Sequence, residues 1–507
     1  MTGIIKSYAR ENGGRVLLLF LLFLLAIYSF ITSGFAGYAI ICIIPLTLVL
    51  IYAAFKWRHA LFWTLFSINY LIHFLSKNQW LPEGIPMSGY NELLEISLLA
   101  VAIIEIRKDQ HFGRAINLMF FSISLWTLLC IIEVFNDTCG LGINVGAWFS
   151  GIRLLAFQLF YFVIIFSLYI DSPQILEKYL KIWACFALFS VFWTWKQSYI
   201  GLTPAEHAWL YSGGPSTHLV NGIIRYWSTF SDAANYGCNA AATSVAFLIF
   251  GLTSRFPKER IFFILTSAAI LWGMFASGTR TALACFFAGL LVYIFLSKSV
   301  KFAIPVIIFT ILSFFLLAFT NIGQGNNQIR RMRSAFNKND ASANVRDINK
   351  ATMAKYLQDA PWGIGIGIQN GDVPARNKYV VMSYIAPDSE YVYIWIHTGR
   401  IGVSVFALSM FLMLAGACRI VLFKLKSKTL IGIGAGLCCA FAAIQLGAYL
   451  NQVLYQYPNG LIFFGGLAIV YVLPYLEKDW EAYEQTRLGE LEEKKRLKLE
   501  KKKASRV

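Results

Sequence analysis

Long runs of apolar residues, separated by short polar connections, dominate the chain. Residues 16–31, 35–55, 302–320 and 431–450 are apolar runs of the length that crosses hydrocarbon as a helix. No small-residue cleavage site follows residue 31, and another run begins almost at once, so we interpret the first run as a span and not as a signal peptide. The pattern predicts an all-α polytopic membrane protein.

The hydrophobic pattern divides into about fourteen predicted spans. Lys and Arg are concentrated on alternate connections between these spans, which the positive-inside rule predicts to be cytoplasmic. An even number of spans then places both termini in the cytoplasm. The predicted spans lie near residues 16–32, 35–55, 60–76, 90–105, 115–135, 149–170, 181–199, 236–253, 261–277, 281–297, 302–320, 402–423, 430–450 and 459–476.

The composition supports a membrane protein and excludes an average soluble domain. Of the 507 residues, 57% are hydrophobic and 14% are charged, whereas about a quarter are charged in soluble domains. Part of the net charge of +17 lies in a tail from Lys478, in which acidic and basic residues alternate. We interpret this tail as a solvated helix near anionic lipid headgroups, and nucleic acid is not an expected partner. The nine cysteines show no spacing typical of a disulfide framework or a metal site.

The predicted organisation has four parts. Residues 1–320 hold eleven spans and an outer loop at 200–235, residues 321–387 form a long periplasmic loop, residues 388–476 hold a short outer helix and three spans, and residues 477–507 form a charged cytoplasmic tail. The long loop is much longer than a connection requires. Because short outer loops are normally poor in cations, its basic residues predict an anionic partner there. They are Arg330, Arg331, Arg333, Lys338, Arg346, Lys350, Lys355, Arg376 and Lys378.

Two arginines stand at the outer ends of predicted spans. Arg280 lies in a short turn between two apolar spans, where it either snorkels to the interface or binds a phosphate with its planar guanidinium. Arg225 precedes a span whose start carries Asp232 and Asn235, two residues of the type that caps helices. A helix N-terminus beside an arginine is also an anion site, so both interpretations stand for this segment.

The long loop supplies another arginine and a glycine-rich run. Arg346 is either a solvated loop cation or a ligand for an anion. It precedes the sequence Pro361-Trp-Gly-Ile-Gly-Ile-Gly367, and these glycines permit tight backbone turns close to a ligand. The run is not a dinucleotide-binding fingerprint, because no strand and helix surround it.

A carboxylate follows the loop at the predicted membrane surface. Asp388 is either the N-cap of a short helix that ends near Gly399, with Ser389 as the alternative cap, or a general base held near a bound pyrophosphate. Glu390 and His397 are weaker candidates for the base, and His397 is more typical of a packing residue.

These four segments resemble, in the same order, the O-antigen ligase/polymerase superfamily of bacterial envelope glycosyltransferases. The family has Arg-x-x-Gly-x-Phe-x-x-Pro-Asn before a span, Ser-x-(Ser/Thr)-Arg at a span junction, an Arg with Pro-x-x-Gly-x-Gly in a periplasmic loop, and His-Asn-x-Tyr-Leu…Gly-x-x-Gly. The chain reads Arg225-Tyr-Trp-Ser-Thr-Phe-Ser-Asp-Ala-Ala-Asn235, Ser277-Gly-Thr-Arg280, Arg346 with Pro361-Trp-Gly-Ile-Gly365, and Asp388-Ser-Glu-Tyr391…Gly399-Arg-Ile-Gly402. Ala234 replaces the family proline, and Asp388 replaces a histidine associated with ligases, which favours a repeat-unit polymerase.

The resemblance implies a fold like that of C-type glycosyltransferases and an enzyme of the bacterial inner membrane. This enzyme would polymerise undecaprenyl-pyrophosphate-linked oligosaccharide repeat units of O-antigen, capsule or exopolysaccharide on the periplasmic face, with inversion and without a metal or other cofactor. The expected partners are a polyprenyl-pyrophosphate-linked glycan donor, a glycan or lipid-linked acceptor, membrane lipids and a chain-length regulator. Arg225, Arg280 and Asp388 are the predicted catalytic residues. The predicted substrate-binding residues are Arg225, Arg280, Arg346, Asn235, Asp232, Tyr391 and Arg376.

Two other functions remain as alternatives. A ligase of the same superfamily would transfer a finished glycan en bloc to the lipid A core or to another acceptor. A flippase or transporter of lipid-linked sugars is the more remote alternative, because it would need charged or polar residues along a cavity at the membrane midplane. The predicted spans are mostly free of charges at their centres.

Overall fold

The computed structural model forms two compact units, Met1–Thr64 and Leu65–Val507. In the first unit, the described positions between residues 20 and 32 are helical and mostly exposed. The predicted spans at 16–32 and 35–55 lie largely outside the described residues. The structure describes residues 20–21, 23–25, 27–29, 32, 52, 56–80, 87–105, 112–212, 218–220, 222–297, 300–323, 325, 327–333, 341–369, 371–385 and 387–504.

The described elements are almost all helices. A short antiparallel pair joins β1 (Leu219–Val220) to β2 (Ile223–Ile224). The helices are α1 (Arg58–Lys77), α2 (Met87–Ile104), α3 (Leu118–Ile132), α4 (Val145–Ile152), α5 (Gln158–Tyr169), α6 (Pro173–Tyr199), α7 (Pro204–Ser212), α8 (Ala233–Thr253), α9 (Pro257–Ala276), α10 (Arg280–Ser297), α11 (Val300–Phe319), α12 (Asn327–Arg333), α13 (Ala341–Leu357), α14 (Val380–Tyr384), α15 (Glu390–Phe423), α16 (Lys428–Leu450) and α17 (Gly465–Ala504).

Many of these helices have the length and composition of membrane spans, which confirms a helical polytopic membrane protein. Helices α1, α2, α6 and α11 lie at four more of the predicted spans, and the total of about fourteen spans stays a prediction. Within the described part of the chain, eight helical segments are long and apolar enough to cross a membrane: Leu118–Phe135, Val145–Tyr169, Ala233–Thr253, Pro257–Ala276, Arg280–Ser297, Glu390–Phe423, Lys428–Leu450 and Gly460–Leu497.

Helix α8 lies at the centre of the second unit and packs against α9, α10 and α16. Both α8 and α16 are rich in alanine and glycine and are buried along most of their length. Small residues let helix backbones approach closely, which is a common basis of helix packing in membranes. A Cβ added at Gly436, for example, would lie 2.5 Å from Cε1 of Phe250. This packing holds the start of α8 beside the turn between α9 and α10.

The predicted long loop folds back on the rest of the unit. Its described residues form α12, α13 and α14. From α13 onward they share a small hydrophobic core with α15, in which Met353, Leu357, Ile364, Met382 and Ile396 are buried. This core orders the segment from α13 to α15. As a consequence, Arg346 on α13 and Asp388 before α15 are held on a packed scaffold.

Helix α15 contains a break that allows this docking. Gly399 has φ +62° and ψ −165°, although the helix continues on both sides of it. A Cβ at Gly399 would lie 2.1 Å from the carbonyl oxygen of Pro361, and the same oxygen accepts a hydrogen bond from Ile401 N at 3.2 Å. The glycine-rich run therefore approaches the backbone of the protein itself, where a side chain would clash. The non-helical backbone at Gly399 ends the short helix that begins at Glu390, as the sequence predicts, and a second helix follows as the span.

Candidate functional site

The turn between α9 and α10 brings Arg225 next to Arg280. Thr279 Oγ1 accepts a hydrogen bond from Arg225 Nη2 at 3.0 Å and donates one to the carbonyl oxygen of Ala233 at 2.7 Å. Arg280 is the next residue and begins α10. Thr279 therefore ties three segments together: the loop before α8, the start of α8 and the start of α10.

Arg331 joins the same turn from α12. Its Nε donates to the carbonyl oxygen of Gly278 at 2.7 Å. Gly278 has φ +58°, and a Cβ there would lie 3.1 Å from Cδ of Arg331 and 3.7 Å from Cγ of Arg225. The sequence shows Arg331 only as one of many cations in the long loop, so its place beside Arg225 is a result of the folding of that loop.

Arg346 reaches the same region through Asn451, at the end of α16. Asn451 Oδ1 accepts a hydrogen bond from Arg346 Nη2 at 3.4 Å, and Asn451 Nδ2 donates to Thr281 Oγ1 at 2.6 Å. Thr281 directly follows Arg280 in α10. We call Arg225, Arg280, Arg331 and Arg346 the arginine cluster.

The electrostatics of Arg225 reflect this crowding of cations. Burial lowers the pKa of Arg225 below its ordinary value, and the charges of Arg280 and Arg346 lower it further, while Asp232 opposes the shift. Like charges disfavour each other when they are brought together. A bound anion would relieve this repulsion, and an arginine fork matches the oxygen geometry of a phosphate.

Asp388 lies beside the arginine cluster with its carboxylate partly exposed. Asp388 Oδ1 is 3.9 Å from Arg346 Nε, and the two side chains retain 29% and 33% of their exposure. Ser389 is the N-cap of α15, because its Oγ accepts a hydrogen bond from Val392 N at 3.2 Å. Of the two capping residues that the sequence offers, the helix uses Ser389. This leaves the Asp388 carboxylate beside Arg346.

The two weaker candidates for a base have other partners. Glu390 is buried, and its Oε2 accepts a hydrogen bond from Leu454 N at 2.9 Å. His397 is also buried, and its Nδ1 lies 2.9 Å from the carbonyl oxygen of Gly365. Glu390 thus holds the segment after α16, and His397 holds the glycine-rich run.

Asp232 and Asn235 support the start of α8. Asp232 Oδ1 accepts hydrogen bonds from the backbone amides of Ala234 and Asn235 at 2.7 and 2.8 Å. The Asn235 side chain is fully buried, where Nδ2 donates to Ser231 Oγ and to the carbonyl oxygen of Tyr457, and Oδ1 accepts from Asn459. Both side chains fix the backbone that follows Arg225.

Tyr391 and Arg376 occupy different surroundings. The Tyr391 ring packs edge-on against Phe406 and Tyr449, and its hydroxyl lies 3.4 Å from Gln445 Oε1. Arg376 is exposed in the segment before α14. Among the described residues, Arg376 makes no hydrogen bond or ion pair with the arginine cluster. The structure brings Arg225, Arg280, Arg346 and Asp388 together and leaves Arg376 apart.

Comparison with known proteins gives a family for part of the chain. Residues 261–407 match the model of the O-antigen ligase family, which confirms the resemblance to the O-antigen ligase/polymerase superfamily. The match includes Arg280, Arg346 and Asp388, while Arg225 lies before it. No curated protein matches the chain. The match and the apolar helices together indicate a multi-pass bacterial membrane protein with activity of the O-antigen ligase or polymerase type.

Proposed function

We propose that the protein is an inner-membrane glycosyltransferase that polymerises undecaprenyl-pyrophosphate-linked repeat units on the periplasmic face. Its residues 261–407 match the O-antigen ligase family, and the convergence of Arg225, Arg280 and Arg346 is the observation that carries the proposal. In this orientation both termini are cytoplasmic. A chain-length regulator and membrane lipids are the proposed partners besides the lipid-linked donor and the glycan acceptor.

The arginine cluster would bind the donor's diphosphate. Guanidinium groups from the loop before α8, from α10 and from α13 offer several N–H donors to one ligand. Preformed positive charge stabilises a transition state in which negative charge develops on the leaving group. As the anomeric carbon–oxygen bond breaks, the electron pair passes to the lipid diphosphate, which these arginines neutralise. Arg331, which lies beside Gly278, would assist them.

Asp388 would act as the general base for the acceptor. Its carboxylate takes the proton of the acceptor hydroxyl, and the acceptor oxygen forms the new bond to the anomeric carbon on the face opposite the departing diphosphate. This single displacement inverts the configuration. A partly exposed carboxylate that does not cap its helix is accessible for this proton transfer.

The other predicted residues would contribute indirectly. Asp232 and Asn235 would position Arg225 by fixing the start of α8, and Tyr391 would support α15 through its packing against Phe406. Binding of the glycan by Arg376 stays a prediction from the sequence.

The proposal is tested by polymer length in cells that carry Arg280→Ala. Loss of a preformed donor to a developing negative charge costs about 10²- to 10³-fold in rate, so the ladder of long glycan chains should collapse to one-repeat products. Arg280→Lys should retain part of the activity, because it keeps the charge but loses the fork. The matched control is Arg419→Ala, which removes an exposed arginine near the C-terminal end of α15, away from Asp388. Ladders of wild-type length in Arg280→Ala would contradict the proposal.

A ligase is the second candidate, because the matching family is described as O-antigen ligase. The same arginine cluster would bind the diphosphate of a finished chain, and only the acceptor would differ. Deletion of the gene separates the two. Loss of a polymerase leaves one-repeat products, whereas loss of a ligase leaves long chains on the lipid carrier.

A further inference from the structure

A cavity lies between the end of α1, helix α7 and the loop that carries Arg225. Its volume is about 400 Å³, within the range of small-ligand pockets. Among the described residues, the aliphatic side chains of its lining are those of two alanines. The other described side chains include those of Ser76, Lys77, Gln79, Trp209, Ser212 and Ser231. Hydroxyl, amide and amine groups beside the indole ring of Trp209 suit a sugar, which presents hydroxyl groups at its edges and C–H groups on its faces.

Lys77 places a largely buried ammonium group at this cavity. Its Nζ donates to the carbonyl oxygens of Phe230 and Ser231 at 3.0 and 2.6 Å, and it lies 3.6 Å from the ring centroid of Trp209. Among the described residues, no carboxylate lies within ion-pair distance of this nitrogen. The ammonium charge is therefore offset by carbonyl dipoles and an aromatic face.

The two nearby carboxylates are engaged by other donors. Glu206 accepts hydrogen bonds from Trp193, Gln197, Lys196 and the backbone amide of Thr203, and Asp232 caps α8. Burial lowers the pKa of Lys77 to about 7, although Asp232 and Glu206 act in the opposite direction. A ligand carboxylate in the cavity would stabilise the charged form of Lys77.

Two of the described non-glycine residues have positive φ angles, one in the lining of the cavity and one in the loop that connects the cavity to Arg225. Gln79, in the cavity lining, has φ +58°, and Ser228, in the loop between Arg225 and Asp232, has φ +55°. Such conformations are costly for residues other than glycine and are found most often at functional sites. Among the described residues, these are the two non-glycine positions with positive φ.

We propose that this cavity is a glycan subsite that binds a carboxylate-bearing sugar of the lipid-linked substrate, with Lys77 facing the carboxylate. This inference rests on the proposed function, which supplies the glycan. The loop from Arg225 to Ser231 connects the two sites, since Arg225 belongs to the arginine cluster and Ser231 lines the cavity. A glycan whose diphosphate binds the arginine cluster would extend a charged sugar toward Lys77.

The test is a binding titration on the purified full-length protein in detergent, followed by ligand-observed NMR. The probes are methyl β-glucuronide and methyl β-glucoside, which share the ring and differ in the carboxylate. We expect the glucuronide to bind about tenfold more tightly, as one charged hydrogen bond provides. Lys77→Met should abolish this preference, so that the two probes bind with equal affinity. Lys378→Met, which removes an exposed ion pair with Asp359, should retain the preference.

A second variant covers the case in which Lys77→Met does not fold. Ala208→Phe fills the cavity from α7 without removing a contact of Lys77, and it should weaken both probes at least tenfold. The control is His207→Phe, which changes the exposed residue that precedes Ala208 in the same helix. This variant should bind both probes as the wild-type protein does. Equal affinity for the two probes, absence of binding to the wild-type protein, or full binding to Ala208→Phe would overturn the inference.

The binding assay contains no lipid-linked donor, so its result is independent of polymerisation. Preferential glucuronide binding together with normal polymer in Arg280→Ala cells would refute the proposed function and retain an acidic-sugar site. Loss of polymer in Arg280→Ala cells together with equal binding of both sugars would refute the subsite and retain the enzyme.

Discussion

Basic residues form two clusters at opposite ends of α9, and their surroundings differ. At the start of α9, Glu259 belongs to an ion-pair network in which Arg487 Nη1 and Nη2 lie 2.7 and 2.6 Å from Glu177 and Glu259. At the end of α9, the described contacts of the arginine cluster include the Thr279 hydroxyl, the Gly278 carbonyl and the Asn451 amide. The 18 residue steps from Glu259 to Ser277 separate the two ends by about 27 Å, close to the thickness of a bilayer core.

The titration behaviour of one group at each end shows the consequence. Burial acts to raise the pKa of Glu177, but hydrogen bonds from Lys181 and Tyr483 and the charge of Arg487 bring it below its ordinary value. At the other end, burial and neighbouring cations lower the pKa of Arg225. In the ion-pair network, positive and negative side chains neutralise each other, and this arrangement is suited to hold α6, α9 and α17 together. The arginine cluster holds positive charge together, and this arrangement is suited to an anionic ligand.

The largest loss of polymerisation rate should follow substitution of Asp388, beside the arginine cluster. Asp388→Asn keeps the size of the side chain and removes the base, so polymerisation should fall by about 10²- to 10⁴-fold. The rate is measured as repeat units added per minute by purified protein with a lipid-linked substrate. Glu177→Gln, the same chemical change at the other end, is the matched control. A rate for Asp388→Asn within twofold of wild type would exclude Asp388 as the base.

A smaller loss is expected for Asn451→Ala. This change removes the bridge between Arg346 and Thr281, so the arginine would lose its position and keep its charge. We expect about a tenfold lower rate, which corresponds to about 1.4 kcal/mol. An unchanged rate in a correctly folded Asn451→Ala variant would show that the Asn451 bridge does not position Arg346 for the reaction.

The smallest effect on turnover is expected at the other end. Arg487→Ala removes one of the two cations that Glu177 and Glu259 share and leaves Lys181 as the other. The free energy of unfolding should fall by about 1 to 2 kcal/mol because the pairs are only partly buried. The polymerisation rate of folded protein should remain within twofold of wild type. Thermal unfolding in detergent and the rate assay measure the two quantities on one preparation. A large loss of polymerisation rate in Arg487→Ala without a loss of stability would contradict a purely structural role for the ion-pair network.

Much of the helical architecture can be predicted from the hydrophobic pattern. The predicted spans at 236–253, 261–277 and 281–297 agree with α8, α9 and α10 to within a few residues, because proline, glycine or charged residues bound each apolar run. Helix α13 was not predicted, since its sequence is polar and its stability comes from packing of Met353 and Leu357 in the small core of the loop.

The candidate site could be predicted where a chemical motif marks it. Arg225, Arg280, Arg346 and Asp388 carry such motifs, and the structure brings them together. Asn451 could not be selected from the sequence, because it follows an apolar run as any polar capping residue does. Arg331 could not be selected either, because it is one of many cations in the long loop. Lys77 has no motif at all. Its importance depends on contacts with residues more than 100 positions away.

The most direct measurement is the affinity of undecaprenyl diphosphate for the purified protein in lipid nanodiscs. We expect Arg225→Ala and Arg280→Ala each to weaken binding at least tenfold, since each removes charged hydrogen bonds to phosphate, and we expect Arg487→Ala to bind as wild type does. Equal affinities for the wild-type protein, Arg225→Ala and Arg280→Ala would contradict it.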